Sequence, residues 1–272
     1  MRLRFLGTGT SSGVPVIGCA CPVCTSTDPR DTRTRTSATL EFTDAAGQPR
    51  VILIDASADL RQQALTAGFE RVDAILITHD HVDHIFGLDE VRRFNVLMDA
   101  PIDVYTDEPT HASLRRVYPY ILDRGGNPPD SFVATLTPRT VRPLEPFDLF
   151  GLTVTPIPLM HGRRSILGFR FDQAPPANGP PTLLPLAYCT DVSSIPDESW
   201  TALGGVRSLV LDALRHRPHP SHLTIEQATA AAARIGADRT WFVHMTHDLG
   251  HAQTQASLPD GIMLAHDHLI VD

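Results

Sequence analysis

The stretch T-H-D-H-V-D-H, residues 78–84, constrains the fold more than any other feature of this sequence. It directly follows the apolar segment D-A-I-L-I-T, which predicts a buried β-strand. The motif therefore places four potential metal ligands on a loop at a strand end: His79, His81, Asp83 and His84. Imidazole and carboxylate suit a catalytic divalent metal, and this spacing lets two ligands face one metal and two face another. The preceding buried strand argues against the alternative, a histidine-rich surface loop.

Three further candidate ligands follow predicted strands in the second half of the chain. L-T-V-T-P-I-P-L-M-H ends in His161, L-A-Y-C-T-D ends in Asp191, and R-T-W-F-V-H ends in His244. Each residue alone could equally well be a hydrogen-bonded or surface residue. Because four strand ends deliver His or Asp side chains toward one edge of the predicted sheets, we expect these side chains to meet.

Alternating and apolar segments predict strands throughout both halves of the chain. They cover residues 2–7, 37–42, 50–56, 73–78, 102–106, two short strands within 147–159, 166–171, 184–191, 207–213, 239–244 and, as the last strand, 261–267. Helices are predicted at 58–67, 87–95, 108–118 and 224–235, the last with Thr224 as its N-cap. Prolines and a glycine preclude regular structure at 173–181. No linker divides the chain, so we expect one domain over residues 1–272, with two packed sheets covered by helices.

These motifs resemble those of the metallo-β-lactamase-fold hydrolases. H-D-H-V-D-H matches the H-x-H-x-D-H motif of that family in full, and the later single His, Asp and His follow in the same order. The resemblance implies an α/β fold, the αββα sandwich of two mixed β-sheets flanked by helices, with a dinuclear metal site. By that match the first metal is held by His79, His81 and His161, the second by Asp83, His84 and His244, and Asp191 bridges them.

A pair of Zn²⁺ or Mn²⁺ ions can share a water, lower its pKa and leave a hydroxide nucleophile at neutral pH. We therefore predict a dinuclear hydrolase, with Asp83 and His222 as catalytic candidates. By similarity to the family, His222 in S-H-L-T is the general acid for the leaving group. The alternative is that His222 has no catalytic role and is simply a residue at the surface or at a helix N-terminus. His216 and His219 are expected to be solvated loop residues.

Two N-terminal stretches narrow the subgroup. L-G-T-G-T-S-S-G-V-P, residues 6–15, resembles the opening of the phosphodiesterase branch, which includes the tRNA 3′-processing endonucleases (RNase Z) and the phosphoribosyl cyclic phosphate phosphodiesterases. G-C-A-C-P-V-C, residues 18–24, is similar to the C-x-C-x-x-C element of the carbon–phosphorus lyase pathway phosphodiesterase and to pyrroloquinoline quinone biosynthesis protein B. The tRNA endonucleases usually lack this element. We favour hydrolysis of a small, cyclic phosphodiester. The alternatives are an RNase Z-like endonuclease and a quinone-pathway-like binding or biosynthetic protein without diesterase activity.

Three of the four cysteines lie within six positions, so they cannot all pair with one another. The resemblance implies that they hold a structural Zn²⁺, in a closed site formed by Cys19, Cys21, Cys24 and His247. Three reduced cysteines without a metal are the alternative. Arg33 and Arg35 nearby are expected in a solvated turn.

Composition limits the partners of the chain. A net charge of −8 disfavours a globally basic nucleic-acid binder, and all 23 basic residues are arginine, which excludes a lysine nucleophile. We expect a small phosphodiester as the partner, with nucleic acid as a less favoured alternative. A membrane partner is not expected, because no segment has the length and apolarity of a signal peptide or a transmembrane helix. The expected location is cytoplasmic, and a homodimer is left open by analogy with the fold.

Overall fold

Two mixed β-sheets of seven strands each form the framework of the computed structural model, which describes residues 1–123, 132–173 and 183–272. The first sheet contains β1 (Arg2–Gly7), β2 (Ser37–Thr43), β3 (Pro49–Ile54), β4 (Ala74–Leu76), β5 (Ile102–Thr106), β6 (Leu136–Thr140) and β14 (Ile270–Val271). Their order is β14-β1-β2-β3-β4-β5-β6, antiparallel from β14 to β3 and parallel from β3 to β6. The parallel half brings the carboxyl ends of β3 and β4 to one edge.

The second sheet mirrors this arrangement. It contains β7 (Phe147–Leu149), β8 (Leu152–His161), β9 (Arg164–Gln173), β10 (Leu186–Cys189), β11 (Ser208–Asp212), β12 (Arg239–Val243) and β13 (Ile262–Leu264). Their order is β13-β12-β11-β10-β9-β8-β7, antiparallel from β7 to β10 and parallel from β10 to β13. The carboxyl ends of β10, β11 and β12 therefore also share an edge.

Eight helices in the described residues complete the fold. They are α1 (Leu60–Ala67), α2 (Val82–Ile85), α3 (Arg92–Met98), α4 (Glu108–Val117), α5 (Pro119–Leu122), α6 (Asp197–Leu203), α7 (Ile225–Ile235) and α8 (His251–Gln255). The prediction of α7 is confirmed, and Thr224 closes a capping box with Gln227 at its start. None of the helices in these ranges has the length and apolar character needed to cross a bilayer.

Strand alternation divides the buried side chains among three layers. In β10, Leu186 and Tyr188 enter the core between the sheets, while Ala187 and Cys189 face the helices on the outside of the second sheet. A third cluster packs α1 and α4 against the outer face of the first sheet. The αββα sandwich predicted from the sequence is thus confirmed.

Three predictions of local structure are wrong. The helix predicted at 87–95 begins only at Arg92 and ends at Met98. Residues 87–91 form a turn instead, in which the Gly87 N–H donates to the Ala56 carbonyl at 2.8 Å and a Cβ on Gly87 would lie 2.2 Å from the Ser57 carbonyl oxygen.

The segment at 261–267 is not the last strand, since β14 follows it and pairs with β1.

The strand predicted as the second short one within 147–159 is the ten-residue β8. Its prolines, Pro156 and Pro158, are accommodated because β7 pairs with β8 only as far as Val154, so neither proline lies opposite a residue of β7. No strand was predicted at β6. This strand lies at the edge of the first sheet, where its Pro138 is tolerated. The proline-rich loop predicted at 173–181 lies outside the described residues except at Gln173.

Candidate metal centre

The ligand candidates lie at the ends of strands from both sheets. His79 follows β4, His161 ends β8, Asp191 follows β10 and His244 follows β12. His81, Asp83 and His84 come from the short loop and helix α2 directly after His79. The parallel halves of both sheets present their carboxyl ends to the same edge, and β8 also ends there because it and β10 are each antiparallel to β9. The structure therefore brings all seven side chains together.

Four of these residues form the first group: His79, His81, His161 and Asp191. One potential ligand atom of each lies within 4.8 Å of those of the others. The His79 and His81 rings are 4.5 Å apart between centroids, and the His81 and His161 rings are 4.9 Å apart. Only His81 is half-buried, while the others are buried. This donor set suits a catalytic divalent cation.

The second group contains Asp83, His84 and His244. Asp191 lies against it as well, since its carboxylate oxygens are 3.2 Å from His84 Nε2 and 3.3 Å from His244 Nε2. The same carboxylate is 3.8 Å from His79 Nε2 in the first group. The Asp191 carboxylate thus lies within 4 Å of histidines from both groups.

The unsatisfied atoms of the site fit a cation. The Nε2 atoms of His79, His84 and His244 are buried without a hydrogen-bond partner, and a buried polar atom rarely stays unpaired. Burial alone would raise the pKa of the Asp191 carboxyl. The adjacent His244 and His84 outweigh that effect and hold the pKa well below its usual range. A buried anion facing unpaired imidazole nitrogens is the arrangement that a divalent cation would satisfy.

Asp55, a residue that the sequence did not single out, orients two of these histidines. His84 Nδ1 donates to Asp55 Oδ2 at 2.7 Å. His79 Nδ1 bonds Thr78 Oγ1 at 3.0 Å, and that hydroxyl in turn donates to Asp55 Oδ2 at 2.9 Å. Both rings therefore carry their proton on Nδ1, which leaves Nε2 free as a ligand.

Asp212 holds a second unpredicted position, at the end of β11. It is fully buried and accepts a hydrogen bond from His222 Nδ1 at 3.0 Å and from the Leu223 amide at 3.0 Å. Its Oδ1 also lies 3.5 Å from His244 Nδ1. Asp212 therefore joins a ligand candidate to His222.

His222 lies beside both groups of ligand candidates. Its ring stacks on that of His244, with centroids 4.6 Å apart, and lies 4.7 Å from that of His161. Burial, with His244 nearby, lowers the pKa of His222 to about 3, so the ring is neutral with its proton toward Asp212. His216 is exposed and pairs with Glu226 at 2.8 Å, while His219 is half-buried.

Asp55, Asp191 and His244 share an unusual backbone conformation. Their φ angles are 56°, 58° and 62°, in the left-handed region that disfavours residues with a side chain. Such a conformation costs about 1–3 kcal/mol and persists only where the surroundings enforce it. Three such residues at strand ends indicate that the turns are fixed to aim these side chains into one site.

The cysteine cluster, formed by Cys19, Cys21, Cys24 and His247, lies near the start of the chain and beyond β12. The three Sγ atoms lie 3.3, 3.5 and 3.3 Å from His247 Nδ1. Zinc bonds of about 2.3 Å to sulfur and about 2.0 Å to nitrogen place those atoms about 3.5 Å apart at the tetrahedral angle. The four side chains therefore fit a closed tetrahedral metal site.

Thiol acidity in the cysteine cluster also fits a metal. A hydrogen bond from the Cys24 amide lowers the pKa of Cys21 to about 6, whereas burial raises the pKa of Cys24 to about 11. Cys21 is thus a thiolate at neutral pH, and a bound cation would be what keeps Cys24 deprotonated.

Arg33 braces the loop that carries His247, and its expected position in a solvated turn is wrong. Its side chain is fully buried and donates to the Thr246 and Leu249 carbonyls at 2.8 and 2.6 Å. Asp31 pairs with it at 3.1 Å. Arg35 is only half-buried and pairs with Asp59 at 2.9 Å.

Comparisons with known proteins agree with this architecture. The model of the β-lactamase superfamily domain matches residues 50–245. A solved structure of a diphosphatase from the PhnP family is 40% identical, with a TM-score of 0.86, and the match covers 100% of this chain and 97% of that one. The Zn²⁺-bound PqqB of Methylobacterium extorquens shares the fold at 21% identity and a TM-score of 0.76, covering 100% of both chains.

One curated relative is an octanoyltransferase of Porphyromonas gingivalis, 38% identical over 271 residues, which are 99% of this chain and 51% of that protein. The chain thus spans about half the length of that relative.

The family match defines the class: the chain belongs to the β-lactamase superfamily, and its strand ends gather groups of candidate metal ligands. The full-length similarity to the diphosphatase narrows this further. Within the superfamily, the chain belongs to the PhnP family.

Proposed function

We propose that this chain is a phosphodiesterase that hydrolyses a small, cyclic phosphodiester with two divalent metal ions, Zn²⁺ or Mn²⁺. The observation that carries the proposal is the position of Asp191 between two groups of ligand candidates, with its oxygens 3.2 and 3.3 Å from His84 and His244 and 3.8 Å from His79. A shared carboxylate between two such groups suits two metal ions acting on one phosphate.

Seven residues would hold the pair of ions: His79, His81 and His161 on one side, Asp83, His84 and His244 on the other, and Asp191 between them. Bound there, the ions would supply a nucleophile from water at neutral pH and neutralise the phosphate oxygens. Asp55 fixes the tautomers of His79 and His84 so that both present Nε2. Asp83, buried against His84 and His244, stays ionised because those rings hold its pKa well below the usual range despite its burial.

His222 is the group that we assign to protonate the leaving oxygen. Its Nδ1–H is held by Asp212, which leaves Nε2 to face the substrate. A phosphate bound beside the ring favours its charged form, because an adjacent anion raises the pKa of an imidazole. The pKa of about 3 in the free site leaves the ring neutral at neutral pH, so the ring can act as an acid only once the bound phosphate has raised that pKa and Nε2 has gained a proton from solvent.

The cysteine cluster is assigned a structural Zn²⁺. Its four side chains leave no open position for a substrate, and Arg33 ties the neighbouring loop to the body of the protein. Loss of this ion is expected to destabilise the fold and to affect catalysis only through it.

Two rival functions remain distinct from this proposal. An RNase Z-like endonuclease would cleave a 3′-extended precursor tRNA and have little activity on small diesters. A protein acting like the quinone-pathway relatives would hydrolyse neither. The G-C-A-C-P-V-C element, whose three cysteines lie 3.3–3.5 Å from His247 Nδ1, favours the small-substrate phosphodiesterases over the tRNA enzymes, which usually lack this element.

A screen of the purified protein against cyclic and linear phosphodiesters and a 3′-extended precursor tRNA separates the three functions, with metal analysis of the same sample. We expect hydrolysis of small diesters, highest on a cyclic one, with about three metal ions per chain. Cleavage of the tRNA alone would establish the first rival. Inactivity on every substrate, although metal ions occupy both His/Asp groups, would favour the second rival, the quinone-pathway-like protein.

A further inference from the structure

The stretch L-G-T-G-T contributes no metal-ligand candidate, yet its residues 8–10, which we call the bridge segment, lie against the strand end that supplies His244. Through Gly9 the bridge segment pairs with Arg35 on one side and with Met245 on the other. Arg35 precedes β2 of the first sheet, and Met245 follows β12 of the second. The bridge segment therefore connects the two sheets beside the candidate metal centre.

Two backbone hydrogen bonds hold Met245 against the bridge segment. The Met245 N–H donates to the Thr8 carbonyl at 3.0 Å, and the Thr10 N–H donates to the Met245 carbonyl at 3.1 Å. Both bonds restrain the residue that directly follows His244. Since His244 has a φ of 62°, a conformation that persists only where the surroundings enforce it, these bonds contribute to that enforcement.

The carboxylate of Asp267 holds the bridge segment in place. Its Oδ1 accepts hydrogen bonds from the amide and the hydroxyl of Thr8, both at 2.9 Å. Its Oδ2 accepts hydrogen bonds from the amide and the hydroxyl of Thr34, both at 2.7 Å. Thr34 in turn accepts a bond from the Gly9 amide at 2.8 Å, and a Cβ on Gly9 would lie only 2.9 Å from the Arg33 carbonyl oxygen. One carboxylate thus joins two closely packed segments.

The contacts of Asp267 separate it from the metal ligands. Within the described ranges, its side-chain hydrogen bonds go to Thr8 and Thr34 and to none of the seven ligand candidates. Any effect on the metal centre must therefore pass through the bridge segment and Met245.

We infer that Asp267 is a positioning residue of the candidate metal centre, which sets the strained turn at His244 through Thr8 and Met245. The inference rests on the proposed function, in which His244 belongs to the second group of ligands. By holding this turn in advance, Asp267 raises the affinity of that group for its metal ion, although it contacts neither the ion nor the substrate.

Asp267→Asn tests the inference by zinc affinity. Asparagine has a single carbonyl oxygen, whereas the amides of Thr8 and Thr34 each face one carboxylate oxygen, so one amide loses its acceptor. Competition of the zinc-loaded protein with a chromophoric chelator measures the dissociation constant of each ion. We expect that of one His/Asp ion to rise about tenfold, the effect of one buried amide left unpaired. The ions of the first group and of the cysteine cluster should keep their wild-type affinities.

Hydrogen exchange of the metal-loaded protein, followed by mass spectrometry, locates the effect. A peptide that contains Met245 should exchange faster in Asp267→Asn than in the wild type, because the acceptor of its amide is no longer held in place. An unchanged exchange rate there would contradict the route through the bridge segment.

Asp73→Asn is the matched control for a loss of stability alone. The Asp73 carboxylate also accepts a backbone amide, that of Val51 at 2.9 Å, but it precedes β4 at the end opposite His79. This variant should unfold at a lower temperature than the wild type and keep all zinc affinities. An equal loss of zinc affinity in Asp73→Asn would show that Asp267 acts only through general stability.

A pair of substitutions at Thr8 supplies a second test that needs no change at Asp267. Thr8→Val removes the hydroxyl that donates to Asp267 and should weaken the same zinc ion, whereas Thr8→Ser keeps a hydroxyl and should restore the affinity. Equal zinc affinities in the two Thr8 variants, or a wild-type affinity in a folded Asp267→Asn protein, would overturn the inference. Because these affinities are measured without turnover, a wild type that binds both His/Asp ions but hydrolyses no diester would overturn the proposed function alone.

Discussion

Replacing Asp212 with asparagine should slow catalysis by weakening the link between His222 and the metal ligand candidate His244. Asp212 accepts two hydrogen bonds of 3.0 Å, from His222 Nδ1 and from the Leu223 amide, and lies 3.5 Å from His244 Nδ1. An asparagine has one carbonyl oxygen, so one of the two donors must face an NH₂ group. A buried donor left without an acceptor costs about 1–3 kcal/mol, which corresponds to a rate loss on the order of 10–100-fold.

The loss should depend on the leaving group. A nucleoside 2′,3′-cyclic phosphate releases an alkoxide, which requires protonation, whereas bis(p-nitrophenyl) phosphate releases a stable phenolate. Asp212→Asn should therefore lower kcat about 10–100-fold on the cyclic substrate and less on the nitrophenyl ester. Asp238→Asn, a substitution of an exposed carboxylate paired with Arg207, is the matched control and should leave both rates unchanged. Wild-type rates on both substrates in Asp212→Asn, with wild-type metal content, would refute the role of this carboxylate.

Three further predictions concern single side chains. Cys21→Ser should lower the zinc content by about one ion per chain and lower the thermal midpoint, because metal binding contributes directly to folding. Unchanged zinc content, measured by mass spectrometry, would contradict the proposed structural zinc site. His222→Ala should slow the cyclic substrate more than bis(p-nitrophenyl) phosphate in steady-state assays, and equal slowing would contradict its role as an acid. Thr224→Ala should cost about 1 kcal/mol in urea unfolding because the capping box of α7 is lost, and a midpoint equal to that of the wild type would show that the cap contributes nothing.

The residues that the sequence predicted correctly to lie together share one property: each stands at the end of a strongly apolar strand or in a dense motif. His79, His161 and His244 follow segments whose burial is evident from composition, so their placement follows from strand direction alone. The sandwich follows from the same segments, because two sets of apolar strands must bury both faces.

Asp55 and Asp212 also end apolar strands, yet a lone aspartate there has the same sequence signature as a helix N-cap or a turn residue. Only the sheet order, which sets β3 beside β4 and β11 beside β12, shows that these carboxylates meet ligating histidines. The burial of Arg33 could not be predicted either, because the carbonyls that it binds belong to Thr246 and Leu249, more than 200 positions away in the sequence. Long-range contacts of this kind carry no local signal.

The central claim is that Asp191 joins two metal groups into one hydrolytic centre. Its most direct test is the turnover of bis(p-nitrophenyl) phosphate by the wild type and by Asp191→Ala, each loaded with Zn²⁺ or Mn²⁺ and confirmed as folded by circular dichroism. We expect hydrolysis by the wild type and a loss of at least about 100-fold in the variant, since a buried carboxylate facing three histidines is removed. Unchanged turnover in a folded Asp191→Ala protein would contradict it.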